Sequence, residues 1–198
     1  MEYSLISIGR QFGSGGHKVG QLIADELGIP YYDKELLTLA AERGALPEQK
    51  LAKYDEKKHN NYFYELNYRG NENAHKGIPT AEALFELQSD IIRKLAESGK
   101  GVFVGRCADY VLKDEPGVCS VYLYAEESYR IKHLSEKEGR AVTAEEIRKE
   151  DKMRSSYYSY YTGRNWYDME NYDLAINLAT IEVEEAAQLI LDYMEKRK

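Results

Sequence analysis

The feature that most constrains this chain is a glycine cluster placed between a short apolar run and a helical pattern. Residues 3–8 read YSLISI, residues 9–18 read GRQFGSGGHK, and then Val19, Leu22, Ile23 and Leu27 recur at helical spacing until Gly28. This predicts strand, tight turn and helix in succession. Such a turn aims backbone N–H groups at one point, and the helix start adds positive potential there. Glycine lets the chain turn sharply and come close to an anion. Gly13, Ser14, Gly15 and Gly16, with His17 and Lys18 beside them, are the candidate phosphate-binding residues. The strict G-x-x-x-x-G-K-[ST] pattern fits in no frame: with Gly15 as its second glycine, the lysine position falls on Gly16 and the hydroxyl position on His17. Arg10, His17 and Lys18 are the candidate replacements for the missing lysine. A glycine turn that serves chain geometry alone is the alternative at this point.

The rest of the chain continues the alternation. Strands are predicted at 29–32, 101–105, 118–125 and 172–178, and helices at 33–43, 79–97, 126–137, 143 to about 161, and 181–198. Asp33 is placed to cap the second helix, and Thr143 with Glu146 forms a capping-box pattern. Alternating strands and helices imply an α/β fold, three layers α/β/α, with a parallel sheet of about five strands in a single domain over 1–198. Residues 44–78 are polar, charged and rich in Asn and Tyr. They are expected to form a mobile insertion, either a plain surface excursion or a substrate-side lid. In the run Tyr157, Tyr158, Tyr160, Tyr161, Trp166 and Tyr167, the spacing of Tyr157, Tyr160 and Tyr161 favours packing on one helix face over stacking on bases.

Charge narrows the function classes. A net charge of -7 argues against a protein that coats nucleic acid or an anionic membrane, though it leaves room for a local basic pocket. The two cysteines, Cys107 and Cys119, make no metal or disulfide framework, no stretch is long and apolar enough to span a bilayer, and a cytoplasmic setting is expected. Cys107 reads as a packed thiol. The histidines show no metal-ligand spacing, and no protein-held metal is expected.

Beyond the loop, residues 6–37 (ISIGRQFGSGGHKVGQLIADELGIPYYDKELL), 102–112 (VFVGRCADYVL), 122–134 (YLYAEESYRIKHL) and 150–177 (EDKMRSSYYSYYTGRNWYDMENYDLAIN) resemble the cytidylate-kinase-like branch of the P-loop phosphotransferases. The resemblance implies a nucleotide-kinase-like fold with a helical lid over 138–170. It also implies ATP-dependent phosphoryl transfer of the nucleoside-monophosphate-kinase type. Carried over by position, residues 13–16 match the phosphate loop, Asp33 and Arg106 match acceptor contacts, and Arg130, Asp151 and Arg154 match the lid. The family's aspartate after the arginine is Cys107 here, and Lys34, Thr38 and Leu39 replace its serine, tyrosine and arginine, so the acceptor stays open. The implied partners are ATP or another nucleoside triphosphate, Mg2+ carried with it, and a small-molecule acceptor, with a nucleoside monophosphate among the candidates. Phosphoryl transfer needs positioning and positive charge, which arginine supplies in planar, bidentate form. Arg10, Arg106, Arg130, Arg148 and Arg154 are candidates for a clamp, with Arg10, Arg130 and Arg154 as the catalytic set nearest the donor phosphates. A nucleotide-binding regulatory module with weak or lost catalysis is the competing reading.

Overall fold

The computed structural model describes residues 4–43, Glu56 and residues 81–197. The insertion expected at 44–78 therefore lies outside the described residues, Glu56 apart.

Strand β1 (Ser4–Arg10) is buried on both faces, as a strand covered by helices on both sides must be. Ile6 and Ile8 pack with Val19 and Ile23 of α1 (Gly16–Leu27) and with Ala186 and Ile190 of α7 (Val183–Lys196). On the other face Leu5 packs with Leu36 of α2 (Glu35–Arg43) and Leu84 and Ile92 of α3 (Ala81–Ala96). The remaining strands among the described residues are β2 (Tyr31–Tyr32), β3 (Lys100–Val104), β4 (Val118–Tyr124) and β5 (Leu174–Asn177). All pair in parallel, in the order β2-β3-β1-β4-β5. This is the three-layer α/β/α architecture expected. The chain leaves β1 toward one side and returns on the other, so β3 and β4 flank it. The crevice at the carboxyl ends of β1 and β3 is where open α/β sheets bind ligands.

Helices α5 (Glu127–Glu138) and α6 (Ala144–Thr162) pack together over that edge. The capping box of α6 forms as its sequence indicates: Thr143 Oγ1 accepts from Glu146 N at 3.2 Å, and Glu146 Oε2 accepts from Thr143 N at 2.7 Å.

Three expectations need correction. Helix α2 starts at Glu35, and Asp33 does not cap it with its side chain; that carboxylate turns to Arg106 and His17 instead. The short helix α4 (Ala108–Val111) went unpredicted, because it begins from a left-handed Cys107 and is a single turn. On α6 the deeply buried tyrosines are Tyr157 and Tyr158, while Tyr160 is 37% exposed. Packing is nonetheless what the aromatic run does. Tyr161 stacks on Phe85 at 4.1 Å between ring centroids, and Trp166 meets Tyr122 edge-on at 5.4 Å.

Candidate active site

The glycine turn lies at the carboxyl end of β1, as the sequence indicates. Gly13 and Gly15 have φ of 78° and 96°, and Gly15 is the residue before α1, with no side-chain cap and no acidic residue in the first helical turn. The N–H groups of Gly15, Gly16 and His17 donate to no protein acceptor among the described residues. Three open N–H groups at a positive helix end form an anion cradle. Gly16 has a second constraint, since a Cβ there would lie 2.8 Å from Cβ of Arg10. Distant side chains fix the turn. Asp151 Oδ1 accepts from Phe12 N at 2.8 Å, and Arg130 Nη1 donates to Phe12 O at 3.1 Å and to Asp151 Oδ2 at 2.6 Å. Ser14 Oγ donates to Gln11 O at 3.0 Å.

Beside the turn lies a pocket walled by Arg10, Arg106, Arg154, Asp109, Tyr157 and Trp166. Glu56 projects into it. Arg10 donates to both Glu56 oxygens, at 2.7 and 3.1 Å, and the backbone N–H of Arg106 donates to Oε1 at 3.2 Å. Arg154 Nε lies 3.8 Å from Oε2, and its Nη1 donates to the Arg10 carbonyl at 3.1 Å. Burial pushes the Glu56 carboxyl up, but the charges of Arg10, Arg106 and Arg154 outweigh it and hold the group well below the ordinary range. Burial, followed by the charge of Arg10, lowers the Arg154 pKa; a guanidinium nonetheless stays charged.

Local backbone geometry aims these groups. Gly105, Arg106 and Cys107 take φ of 74°, 51° and 55°, a left-handed run that turns the Arg106 N–H toward Glu56. Each non-glycine residue held so costs about 1–2 kcal/mol, and such cost collects at functional sites. Gly105 is required in a stricter sense, because a Cβ there would collide with Glu56 Oε1 and Arg10 Nη1. The Arg106 side chain runs to Asp33 Oδ1 and to the Val104 carbonyl, 3.0 Å away. Asp33 also meets His17 Nδ1 at 2.7 Å and Arg10 Nη2 at 3.7 Å. Burial raises the Asp33 carboxyl, but the His17 hydrogen bond and the charges of Arg106 and Arg10 prevail and lower it to about 2.

The candidate residues thus fall into groups. The Arg10 and Arg154 side chains and the Arg106 main-chain N–H converge on Glu56, while the Arg106 guanidinium joins Asp33, which also meets His17. Arg130 is buried outside that pocket and braces the glycine turn together with Asp151. Lys18 points away and pairs with Glu184 at 2.9 Å, both side chains more than half exposed. Arg148 pairs with Glu127 at 2.7 Å on the surface and takes no part. Burial pushes the Cys107 thiol well up, which fits a packed, unreactive group.

Sequence reasoning missed two pocket residues. Glu56 sits in a charged stretch with no motif around it. Asp109 accepts from Tyr158 Oη at 2.6 Å; burial raises its carboxyl, and the Tyr158 hydrogen bond offsets this only in part.

A family model matches residues 5–180, and its description is cytidylate kinase-like family. The chain belongs to that family. Over 204 residues this cytidylate kinase-like chain is 24% identical to a cytidylate kinase of Archaeoglobus fulgidus, covering 98% of this chain and 96% of the relative. Among solved structures, an uncharacterized protein from Eubacterium ventriosum superposes with a TM-score of 0.71 at 29% identity, covering 98% and 99% of the two chains. A gluconokinase from Sinorhizobium meliloti, with a TM-score of 0.56, 18% identity and coverage of 98% and 93%, is similar in fold. So is a shikimate kinase from Bacteroides thetaiotaomicron, at 0.56, 16%, and 97% and 98%. The fold is that of the P-loop kinases. No helix among the described residues is long and apolar enough to cross a membrane.

Proposed function

We propose that this cytidylate kinase-like chain is an ATP-dependent phosphotransferase of the nucleoside-monophosphate-kinase type. The carrying observation is the convergence of the Arg10 and Arg154 side chains and the Arg106 main-chain N–H beside an open glycine cradle at the carboxyl edge of the sheet. The cradle at residues 13–16 would take the triphosphate, ATP or another nucleoside triphosphate. The arginines would stand where charge spreads as the acceptor oxygen bonds to the terminal phosphorus and the bond to the leaving diphosphate breaks. Arg10 and Arg154 serve the transferring group in this reading. Arg106 and Asp33 face the acceptor, and Arg130 positions the glycine turn through Phe12 and Asp151. Residues 138–170, with α6 among them, would act as the lid.

Mg2+ belongs to this chemistry as the ion that neutralises phosphate oxygens. Among the described residues no cluster of three His, Cys, Asp or Glu side chains stands ready for a metal. Asp33 and Asp151 are already paired with arginines. That donor set suits an ion held mainly by phosphates and water.

A second reading, a nucleotide-binding regulatory module, is favoured by one observation: Lys18 turns away from the cradle. A thermal-shift screen with ATP, GTP and each nucleoside monophosphate, with and without Mg2+, tests the proposal, because ligands that bind only the folded state raise its melting point. We expect a shift with one triphosphate plus Mg2+ and a further shift with one monophosphate. No shift with any triphosphate would retire both readings.

A further inference from the structure

We propose that Glu56 is a built-in competitor for a phosphate subsite formed by Arg10, Arg154 and the backbone N–H of Arg106, so that an anionic ligand enters only by exchanging with the Glu56 carboxylate. The phosphate identity rests on the kinase reading above; the anionic character rests on the pocket alone.

The contacts Glu56 makes are those of a bound oxyanion. Two of its oxygens meet the Arg10 guanidinium in a paired, fork-like arrangement at 2.7 and 3.1 Å. The same Oε1 accepts a main-chain N–H at 3.2 Å from a left-handed turn. A third cation, Arg154, stands 3.8 Å from the other oxygen. Main-chain N–H groups and forked guanidinium groups together are the donor set that recognises phosphate. Gly105 is kept bare where the carboxylate and Arg10 meet, so the backbone itself is shaped to admit an oxyanion at that point.

The charge around Glu56 agrees: the guanidinium groups of both Arg10 and Arg154 reach its carboxylate. Exchanging Glu56 for a phosphate dianion places two negative charges where the carboxylate has one. With Glu56 present, a weak or singly charged anion gains little by entering, whereas a dianion brings the arginines one negative charge more than the carboxylate it displaces. Glu56 thereby selects for charge and keeps the arginines ordered between ligands.

The test is titration calorimetry with inorganic phosphate at about pH 8, where a phosphate group is mostly dianionic, on the full chain and on Glu56→Gln. The glutamine keeps the shape and removes the charge, so phosphate should bind about tenfold tighter or more, the equivalent of about 1.4 kcal/mol. Adding Arg154→Met to Glu56→Gln should cancel most of that gain. Should Glu56→Gln fail to fold, Glu56→Asp carries the test. It retains the charge but is too short to hold Arg10 and the Arg106 N–H together, and should gain about threefold in phosphate affinity. Unchanged or weaker phosphate binding in the folded variant overturns the proposal and makes Glu56 a plain structural partner of the arginines. A Mg2+–triphosphate thermal shift on the same proteins separates the two ideas. Tighter phosphate binding with no triphosphate response keeps Glu56 as a competitor and retires the kinase reading. A triphosphate response with no tightening does the reverse.

Discussion

The glycine cradle and the arginine pocket adjoin one another at the same sheet edge, yet they are assembled in different ways. The cradle takes its donors from the main chain of one short segment, residues 13–17, and its chemistry depends on backbone shape. The pocket takes side chains from Arg10, Asp33, Glu56, Arg106 and Arg154, which only the finished fold brings together. A main-chain site tolerates odd side chains around it, which is why the absent lysine leaves the cradle geometrically intact. A side-chain site depends on its members together, because removing one changes the charge that the others face in a buried setting.

The sharpest way to break this contrast is Gly105→Ala. The new Cβ would strike Glu56 and Arg10 at a positive φ, and we expect a stability loss of about 2–4 kcal/mol in urea unfolding. An unchanged midpoint would mean that the pocket does not depend on that close approach. Next in size is Arg154→Ala. Loss of one charge-stabilising donor should lower turnover about a hundredfold while stability falls by less than about 2 kcal/mol; equal effects on both would make Arg154 a packing residue.

Acid titration probes the pocket from its other side. The folded Asp33 carboxyl is lowered to about 2 from an ordinary 3.8, so its stabilising contribution is complete above the ordinary value and is lost as pH falls toward about 2. That contribution is about 2 kcal/mol, and Asp33→Asn should flatten this part of the stability–pH curve. The smallest effect concerns the cradle. Lys18→Ala removes only an exposed pair with Glu184, which surface ion pairs suggest is nearly neutral, and triphosphate affinity should not change. A tenfold weaker affinity would show that Lys18 reaches the phosphates after all, and that the cradle too needs its side chains.

The same contrast explains what the sequence could reveal. Strands β1, β3 and β4 and helices α1 and α3 follow from local apolar periodicity, and the capping box of α6 from two residues three apart. The cradle was legible because its glycines are consecutive with a strand and a helix. Asp33 was misassigned as a helix cap because local rules favour that role, while three tertiary partners, Arg10, His17 and Arg106, invisible in the local sequence, claim the carboxylate. Arg10, Arg106 and Arg154 could be nominated individually. Their meeting point could not, since it depends on Glu56, a residue in a motif-free charged stretch. Arg130 and Asp151 look like lid residues in sequence, and their contacts with Phe12 at the glycine turn are visible only in three dimensions.

The most direct test of the central claim is acceptor-dependent release of ADP. Wild-type protein would be incubated with ATP and Mg2+ and with each nucleoside monophosphate in turn, beside Arg154→Ala. The account predicts ADP release that requires one acceptor and falls about a hundredfold in the variant. Binding of ATP with no acceptor-dependent ADP release from any monophosphate would contradict it and leave a nucleotide-binding module in its place.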